Sequence, residues 1–223
     1  MIIAATSLFS QFIDYFKVNS SYVMQQFFRH FLISIYGVLF AAIVAIPLGI
    51  IIARKRRLSA TLIGIANVIQ TVPSLAMLSI LMIGLGLGVQ TVIATVALYS
   101  FLPILKNTCA GILSVPEPLL DAAKGMGMTR LQRVLKVEVP LALSVIMGGI
   151  RNALVIGIGI TAVGTFIGAG GLGDIISRGI NVAGGSSIIL AGAVPTAIMA
   201  ILIDVLLGQL EKRLSPGLSK KTT

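Results

Sequence analysis

The sequence predicts an all-α integral membrane protein that crosses the bilayer about five times. Of its 223 residues, 57% are hydrophobic and only 11% are charged, whereas soluble domains carry roughly 25% charged residues. The mean hydropathy is +1.04. Four runs without a charged residue are each longer than the roughly 18 apolar residues that mark a spanning helix. They cover residues 31–53, 58–105, 152–173 and 179–203.

The uncharged run of 48 residues from 58 to 105 predicts two spans rather than one. As a single helix it would be about 72 Å long, more than twice the hydrocarbon core of a bilayer. Gly84, Gly86 and Gly88 are the expected turn because glycine weakens a helix. The five spans are therefore expected near residues 31–53, 60–83, 90–113, 141–167 and 187–210.

The segment before the first span, residues 1–30, mixes phenylalanine with glutamine, aspartate and lysine. This pattern is typical of an amphipathic helix that lies on the external face of the membrane. His30 stands at the head of span one, without a His, Cys or carboxylate partner at metal-ligand spacing. We interpret it as an interfacial residue, and we expect no metal site.

The positive charges predict the orientation of the chain. The net charge is +10, and 13 of the 17 Lys and Arg residues fall on the cytoplasmic side if the N-terminus is outside and the C-terminus inside. Residues 211–223 then form a basic cytoplasmic tail. The basic loops are not interleaved with aromatic residues, so a nucleic-acid partner is not indicated. The single cysteine, Cys109, excludes an internal disulfide.

Polar residues inside the spans are the candidates for a translocation pathway, because polar side chains in a membrane need partners or water. Pro73 is equally compatible with a purely structural kink. In span four, Arg151 either reaches the phosphates or lines a hydrated cavity. Asp204 in span five suits a polar contact at the cytoplasmic end. The pathway candidates are Gln70, Thr71, Pro73, Ser74, Thr161 and Thr165.

Glycines at positions 168, 170 and 173 formally match the dinucleotide-binding pattern GxGxxG. They follow a glycine-rich membrane helix instead of a strand, so this match is false. An extracellular or re-entrant loop that acts as a gate is the better interpretation of Gly168, Gly170, Gly171 and Gly173. The motifs GxxxxGK[ST], HExxH and GxSxG are absent, which disfavours a membrane enzyme.

The longest polar stretch, residues 114–140, predicts two short cytoplasmic helices around a glycine turn. Pro116 and Pro118 suit a helix start, and Gly125 and Gly127 end that helix. Thr129 and Gln132 form a capping-box pair that starts the second helix, and Pro140 is expected to end it. The second helix would be apolar on one face and basic on the other, as in a segment that docks in a partner's groove. A solvated loop is the alternative.

This stretch resembles the EAA motif of binding-protein-dependent ABC importer permeases, E-A-A-x-x-x-G-x(9)-I-x-L-P. The matching residues are Asp121, Ala122, Ala123, Gly127, Val137, Val139 and Pro140, with Asp for Glu and Val for both Ile and Leu. The resemblance implies a permease domain over residues 31–210 with its coupling region at 114–140. It implies contact with an ATPase at Asp121, Ala122, Ala123, Gly125, Gly127, Thr129, Arg130 and Pro140.

Two further segments resemble osmoprotectant permeases for glycine betaine, carnitine or choline. They are QTVPSL at residues 70–75 and GTFIGAGGLGD at residues 164–174. Permeases for methionine or another amino acid are the alternative within the family. A stand-alone channel or ion-coupled transporter, with Asp204 and Arg151 as coupling groups, is the competing hypothesis.

The resemblance also implies the partners and the location. We expect two ATPase subunits, which bind the ATP and Mg²⁺, so that the chain itself holds no cofactor. A second copy or a related permease would complete the pore, and an extracellular binding protein would deliver the solute. The protein would be a multi-pass component of the bacterial cytoplasmic membrane, surrounded by lipid.

Overall fold

The computed structural model describes the backbone of residues 2–214 and the side chains of residues 8–214. This part of the chain is helical, without a strand, which confirms the predicted all-α class. The predicted basic tail lies mostly outside the described residues. The α-helices are α1 (Ile2–Ile52), α2 (Arg56–Thr71), α3 (Ser74–Leu85), α4 (Val89–Leu113), α5 (Glu117–Gly125), α6 (Arg130–Arg133), α7 (Val139–Val163), α8 (Leu172–Ile180) and α9 (Ser186–Leu214).

Four helical segments of the described chain are long and apolar enough to cross a membrane. A fifth span results if α2 and α3, which are bent by 97°, are counted as one. The prediction of about five spans is thereby confirmed. The four long segments are Leu8–Ile52, Val89–Leu113, Arg130–Ile167 and Ser186–Leu214.

Helix α1 continues without a break across the predicted boundary at residue 30. It is kinked earlier, at Asn19 (φ −114°, ψ 19°), where two helical segments meet. The Asn19 side chain donates a hydrogen bond to the Tyr15 carbonyl. The helix persists because Val23, Gln26 and His30 are buried on one of its faces. The interfacial position of residues 1–30 stays a prediction.

The bend between α2 and α3 corrects the expectation of one continuous second span. It occurs at Pro73, which lacks an amide hydrogen and holds Val72 in an extended conformation (φ −67°, ψ 129°). Helix α4 satisfies the opened backbone, since the Tyr99 hydroxyl donates to the Val72 carbonyl. Gln70 Nε2 in turn donates to the Tyr99 carbonyl at 3.1 Å. The structural kink at Pro73 is therefore real.

Helix α4 lies at the centre of the bundle, between α1 and α7. Small residues permit this close packing. A β-carbon at Gly49 of α1 would lie 2.8 Å from Thr108 of α4, and one at Gly149 of α7 would lie 2.8 Å from Asn107. The expected turn before α4 is also present, with Gly86 and Gly88 at φ values of 77° and 109°.

Pro140 does not end a second short helix, contrary to the prediction. Helix α6 continues through a π-helical turn, Val134–Glu138, directly into α7. Pro140 is the second residue of α7, where a missing amide hydrogen is tolerated. In the π turn, hydrogen bonds join residues five positions apart instead of four. This change just before Pro140 lets the helix accommodate the proline ring without a break.

Candidate functional site

The glycine turn between α5 and α6 has the geometry that the sequence predicts. Gly127 adopts φ +75°, in the region that residues with a β-carbon avoid. The Met128 amide donates to the Ala123 carbonyl at 3.1 Å, and the Gly127 amide donates to the Lys124 carbonyl at 2.9 Å. These bonds close the C-terminus of α5 and turn the chain toward α6.

Thr129 caps α6, as predicted. Its hydroxyl accepts a hydrogen bond from the Gln132 amide at 3.3 Å, and Gln132 Oε1 accepts one from the Thr129 amide at 2.9 Å. This reciprocal pair is a capping box. It fixes the start of α6 immediately after the Gly127 turn.

A mixed apolar and charged surface results from this turn. Met126, Leu131 and Leu135 are 69%, 67% and 59% exposed, and Arg130 and Asp121 of the same segment are also exposed. We call these five residues the α5–α6 surface. Large apolar side chains that are exposed in a charged segment are compatible with a contact surface.

The other residues predicted to couple to the ATPase differ in exposure. Ala123 of α5 is buried, whereas Ala122, Gly125 and Pro140 are exposed. The exposed Asp121 lies 2.8 Å from Lys124 Nζ. The hydrogen bond from Lys124 and its charge lower the pKa of Asp121, so this carboxyl group is ionised at neutral pH.

An ion pair missing from the sequence analysis anchors this region to α1. Glu138, only 5% exposed, accepts a hydrogen bond from Arg54 Nη2 at 3.1 Å. Arg54 follows α1, and Glu138 belongs to the π turn. The pair lines a cavity of about 320 Å³ together with Glu117, Asp121, Lys124, Leu120 and Arg133. The sequence signal for this ion pair was that Glu138 is the single acidic residue between Lys124 and Pro140, in a segment rich in basic residues.

A second, larger cavity lies between α2, α4, α7 and α9. Its volume is about 590 Å³, and we call it the polar cavity. Its polar lining residues are Gln70, Lys106, Asn107, Asn152 and Asp204, and its apolar lining residues are Leu102, Pro103, Ala110, Val155 and Ile156. Of the predicted pathway residues, it contains only Gln70.

The other pathway candidates do not converge on this cavity. Thr161 is fully buried between α1 and α7, where its hydroxyl lies 2.9 Å from Ser34 Oγ. Hydroxyl pairs of this kind hold membrane helices together, and a pathway role for Thr161 stays a prediction. Thr71 donates to the Val68 carbonyl at 2.7 Å. Pro73 and Ser74 form the bend, and Thr165 lies in the 3₁₀ turn Gly164–Ile167.

The glycine loop, residues 168–171, is held against α1. Gly168, Gly170 and Gly171 have φ values of 80°, 72° and 87°. The Gly171 amide donates to Gln26 Oε1 at 2.6 Å. Next to the loop, Gly173 packs against the Ala162 carbonyl so closely that a β-carbon would overlap it. Gly171 and Gly173 are thus covered by protein, whereas Gly168 is exposed.

His30 makes long-range contacts that the sequence analysis did not predict. Its side chain is fully buried by protein. Its Nδ1 accepts a hydrogen bond from the Leu172 amide at 3.2 Å, so its Nε2 is the donor to the Ile158 carbonyl at 2.9 Å. His30 therefore connects α1, α7 and the start of α8.

The chain matches a known protein family over residues 45–216, which is described as the binding-protein-dependent transport system inner membrane component. The chain belongs to this family. It is a permease subunit of an ABC importer, a multi-pass protein of the bacterial inner membrane. Membership in this family implies an ATPase and a substrate-binding protein as partners. It places the chain among transport components rather than membrane enzymes or stand-alone transporters.

Three curated relatives align with nearly the whole permease. The carnitine transport permease protein OpuCD of Listeria monocytogenes is 62% identical, covering 95% of each chain. The glycine betaine/carnitine/choline transport system permease protein OpuCD of Bacillus subtilis is 60% identical, covering 93% of this chain and 90% of the relative. The carnitine transport permease protein OpuCB of Listeria monocytogenes is 40% identical, covering 92% and 93%.

Among solved structures, the permease resembles an inward-facing form of the MetNI methionine ABC transporter. The TM-score is 0.77 at 21% identity, and the match covers 87% of this chain and 96% of the other. At this identity the likeness shows the fold, which is that of an ABC transporter permease.

Arg151 joins α7 to α9 in the permease. Its Nε lies 3.7 Å from Asp204 Oδ1 and 3.4 Å from Glu211 Oε2. The predicted polar contact of Asp204 is thus an interhelical ion pair. Arg151 does not line the polar cavity, but one of its two acidic partners does.

Replacing His30 with alanine is expected to destabilise the permease, because the buried Leu172 amide loses its acceptor. An unsatisfied buried donor costs about 1–3 kcal/mol, equivalent to a decrease of about 2–10 °C in the unfolding midpoint. Thermal unfolding in detergent measures this change. His30→Asn, which keeps an acceptor, should lose less. The control is Tyr36→Phe, at an exposed position of the same helix. An equal unfolding midpoint for His30→Ala and Tyr36→Phe would show that the His30 hydrogen bond does not stabilise the permease.

Proposed function

We propose that this permease forms the translocation pathway of an ATP-driven importer for a compatible solute such as glycine betaine, carnitine or choline. The observation that carries the proposal is the 62% identity to a carnitine transport permease over 95% of both chains. The 60% identical relative is named for all three solutes. Methionine or another amino acid remains the alternative substrate, and the likeness to the methionine transporter supports only the fold.

The α5–α6 surface is proposed to dock in a groove of the ATPase. The coupling residues are Asp121, Ala122, Ala123, Gly125, Gly127, Thr129, Arg130 and Pro140, within a permease domain that spans residues 31–210. The exposed leucines supply apolar contact area, and Arg130 and Asp121 supply charges at its edge. The Arg54–Glu138 ion pair connects this segment to the end of α1, so a displacement of the surface is transmitted to the bundle.

The proposed docking on a cytoplasmic ATPase implies the orientation of the permease in the membrane. The α5–α6 surface faces the cytoplasm with the C-terminus inside, and the glycine loop lies toward the outside, near the binding protein. Gly168, Gly170, Gly171 and Gly173 would then belong to an outer gate whose position depends on α1. Gln70 lines the pathway. Further candidates for the pathway are Thr71, Pro73, Ser74, Thr161 and Thr165.

A related second permease is favoured over a second identical copy. In Listeria monocytogenes, two relatives carry the description of a carnitine transport permease, and they are 62% and 40% identical to this chain. Two such different permeases with one described substrate fit a heteromeric pore. Two ATPase subunits would complete the transporter and supply the sites for ATP and Mg²⁺.

Uptake by the reconstituted transporter tests the proposed function. The permease is purified with its ATPase and its second permease, inserted into liposomes, and supplied with the loaded binding protein. We expect ATP-dependent accumulation of labelled carnitine, glycine betaine or choline, and no accumulation of methionine. Uptake by the permease without the ATPase, or uptake of methionine alone, would contradict the proposal.

A further inference from the structure

The polar cavity carries opposite charges on different helices. Lys106 projects from α4, and Asp204 projects from α9. Three uncharged amides from α2, α4 and α7 complete the polar lining, namely Gln70, Asn107 and Asn152. With one positive and one negative side chain in its lining, the cavity is electrostatically dipolar. A charged side chain within a membrane bundle is costly, so such residues face water or a functional site.

Both charged groups keep exposed surface through which a ligand can contact them, although Asp204 also pairs with Arg151. Within residues 8–214, no carboxylate lies within 4.0 Å of Lys106 Nζ, and Lys106 is exposed. The side chain of Asp204 is 52% exposed. Its contact with Arg151 Nε is long at 3.7 Å, beyond hydrogen-bond distance, and Arg151 is closer to Glu211.

The proposed substrates present matching charges. Glycine betaine and carnitine each have a trimethylammonium group at one end and a carboxylate at the other, whereas choline has the trimethylammonium group and a hydroxyl. A quaternary ammonium has no N–H to donate, so it is bound by an aromatic face or by a negative charge. The cavity lining contains no aromatic residue among those described, and Asp204 is its acid.

We propose that the polar cavity is a transit site for quaternary ammonium solutes, in which Asp204 attracts the trimethylammonium group and Lys106 attracts the carboxylate of the zwitterionic solutes. The inference rests on the proposed function, and it assigns different roles to the two charges. Asp204 serves all three solutes, whereas Lys106 favours the zwitterions glycine betaine and carnitine over the cation choline. The open geometry of the cavity suits weak binding, which a transit site needs for release.

Uptake kinetics of the reconstituted transporter test this assignment with three labelled solutes. Lys106→Gln is expected to lower kcat/KM about tenfold for glycine betaine and carnitine and less than about twofold for choline. Asp204→Asn is expected to lower it about tenfold for all three, a change typical of one lost charge contact of about 1.4 kcal/mol. The charge-conserving variants Lys106→Arg and Asp204→Glu should keep the wild-type order of substrates.

Two controls separate the cavity from its surroundings. Lys212→Gln and Arg213→Gln each remove an exposed charge from the last turn of α9, outside the cavity lining. Both should retain wild-type uptake. Equal effects of Lys106→Gln on all three solutes, or wild-type uptake by Asp204→Asn, would overturn the inference while the proposed function stands. A wild-type transporter that accumulates none of the three would overturn both.

Discussion

Replacing Gly127 with leucine is expected to abolish the stimulation of ATP hydrolysis by the loaded binding protein, while the permease still inserts into the membrane. Gly127 has φ +75°, a conformation that costs a residue with a β-carbon about 1–2 kcal/mol. The turn it makes sets the position of Arg130 and Leu131 relative to Asp121. A changed turn therefore separates the parts of the α5–α6 surface without affecting the buried bundle.

Two variants make this prediction specific. Gly127→Asn should retain most of the stimulation, because asparagine tolerates the left-handed region better than other residues. Gly64→Ala is the matched control, since a β-carbon at Gly64 meets no atom within 4 Å and its φ is ordinary. Hydrolysis is measured in proteoliposomes with and without the loaded binding protein. Full stimulation of the Gly127→Leu transporter would exclude the proposed docking role of this turn.

Removing the charge of Arg54 should have the second-largest effect, since it leaves the buried Glu138 carboxylate without its partner. Breaking a buried pair from one side costs about 3–5 kcal/mol. Arg54 is partly exposed, so solvent screening reduces the expected cost to about 1–3 kcal/mol. We expect Arg54→Gln to lower both the unfolding midpoint and the stimulated ATP hydrolysis.

The asymmetry of the pair gives a double-mutant test. Glu138→Gln should be milder than Arg54→Gln, because the exposed arginine is solvated when it loses its partner. The double variant Arg54→Gln/Glu138→Gln should be more stable than Arg54→Gln alone, as expected for residues in direct contact. Arg56→Gln, at an exposed neighbouring position, is the control. Additive effects, or equal midpoints for Arg54→Gln and Arg56→Gln, would show that the pair does not hold this region.

The sequence was sufficient for the features that depend on local composition. The uncharged run that ends before Lys106 predicted a span at 90–113, and α4 is Val89–Leu113. The expected span at 187–210 corresponds to α9, Ser186–Leu214. The Thr129 capping box and the Gly127 turn were also predictable, because their hydrogen bonds join residues fewer than six positions apart.

Contacts between distant parts of the chain were not predictable in this way. His30 bonds to residues 128 and 142 positions away, and Arg54 bonds to a residue 84 positions away. Neither pairing leaves a periodic signal in one sequence. The same limit applies to the hydroxyl pair of Thr161 and Ser34, which lie 127 positions apart.

Pro140 shows a different limit. Proline is normally a helix terminator, and that rule predicted a break between α6 and α7. A π-helical turn before the proline preserves the helix instead, and such a turn is not visible in residue composition. As a result, α6 is joined to the long membrane helix α7 by continuous helical backbone rather than by a loop.

Photo-crosslinking from the α5–α6 surface tests the docking proposal most directly. A benzophenone amino acid is placed at Leu131 in the assembled transporter, and at Ile83 of α3 as a control that is 87% exposed near the Gly86 turn. Illumination should join the ATPase subunit to the permease from position 131 and not from position 83. Absence of an ATPase adduct at position 131, or equal adducts from both positions, would contradict the assignment of this surface as the contact with the ATPase.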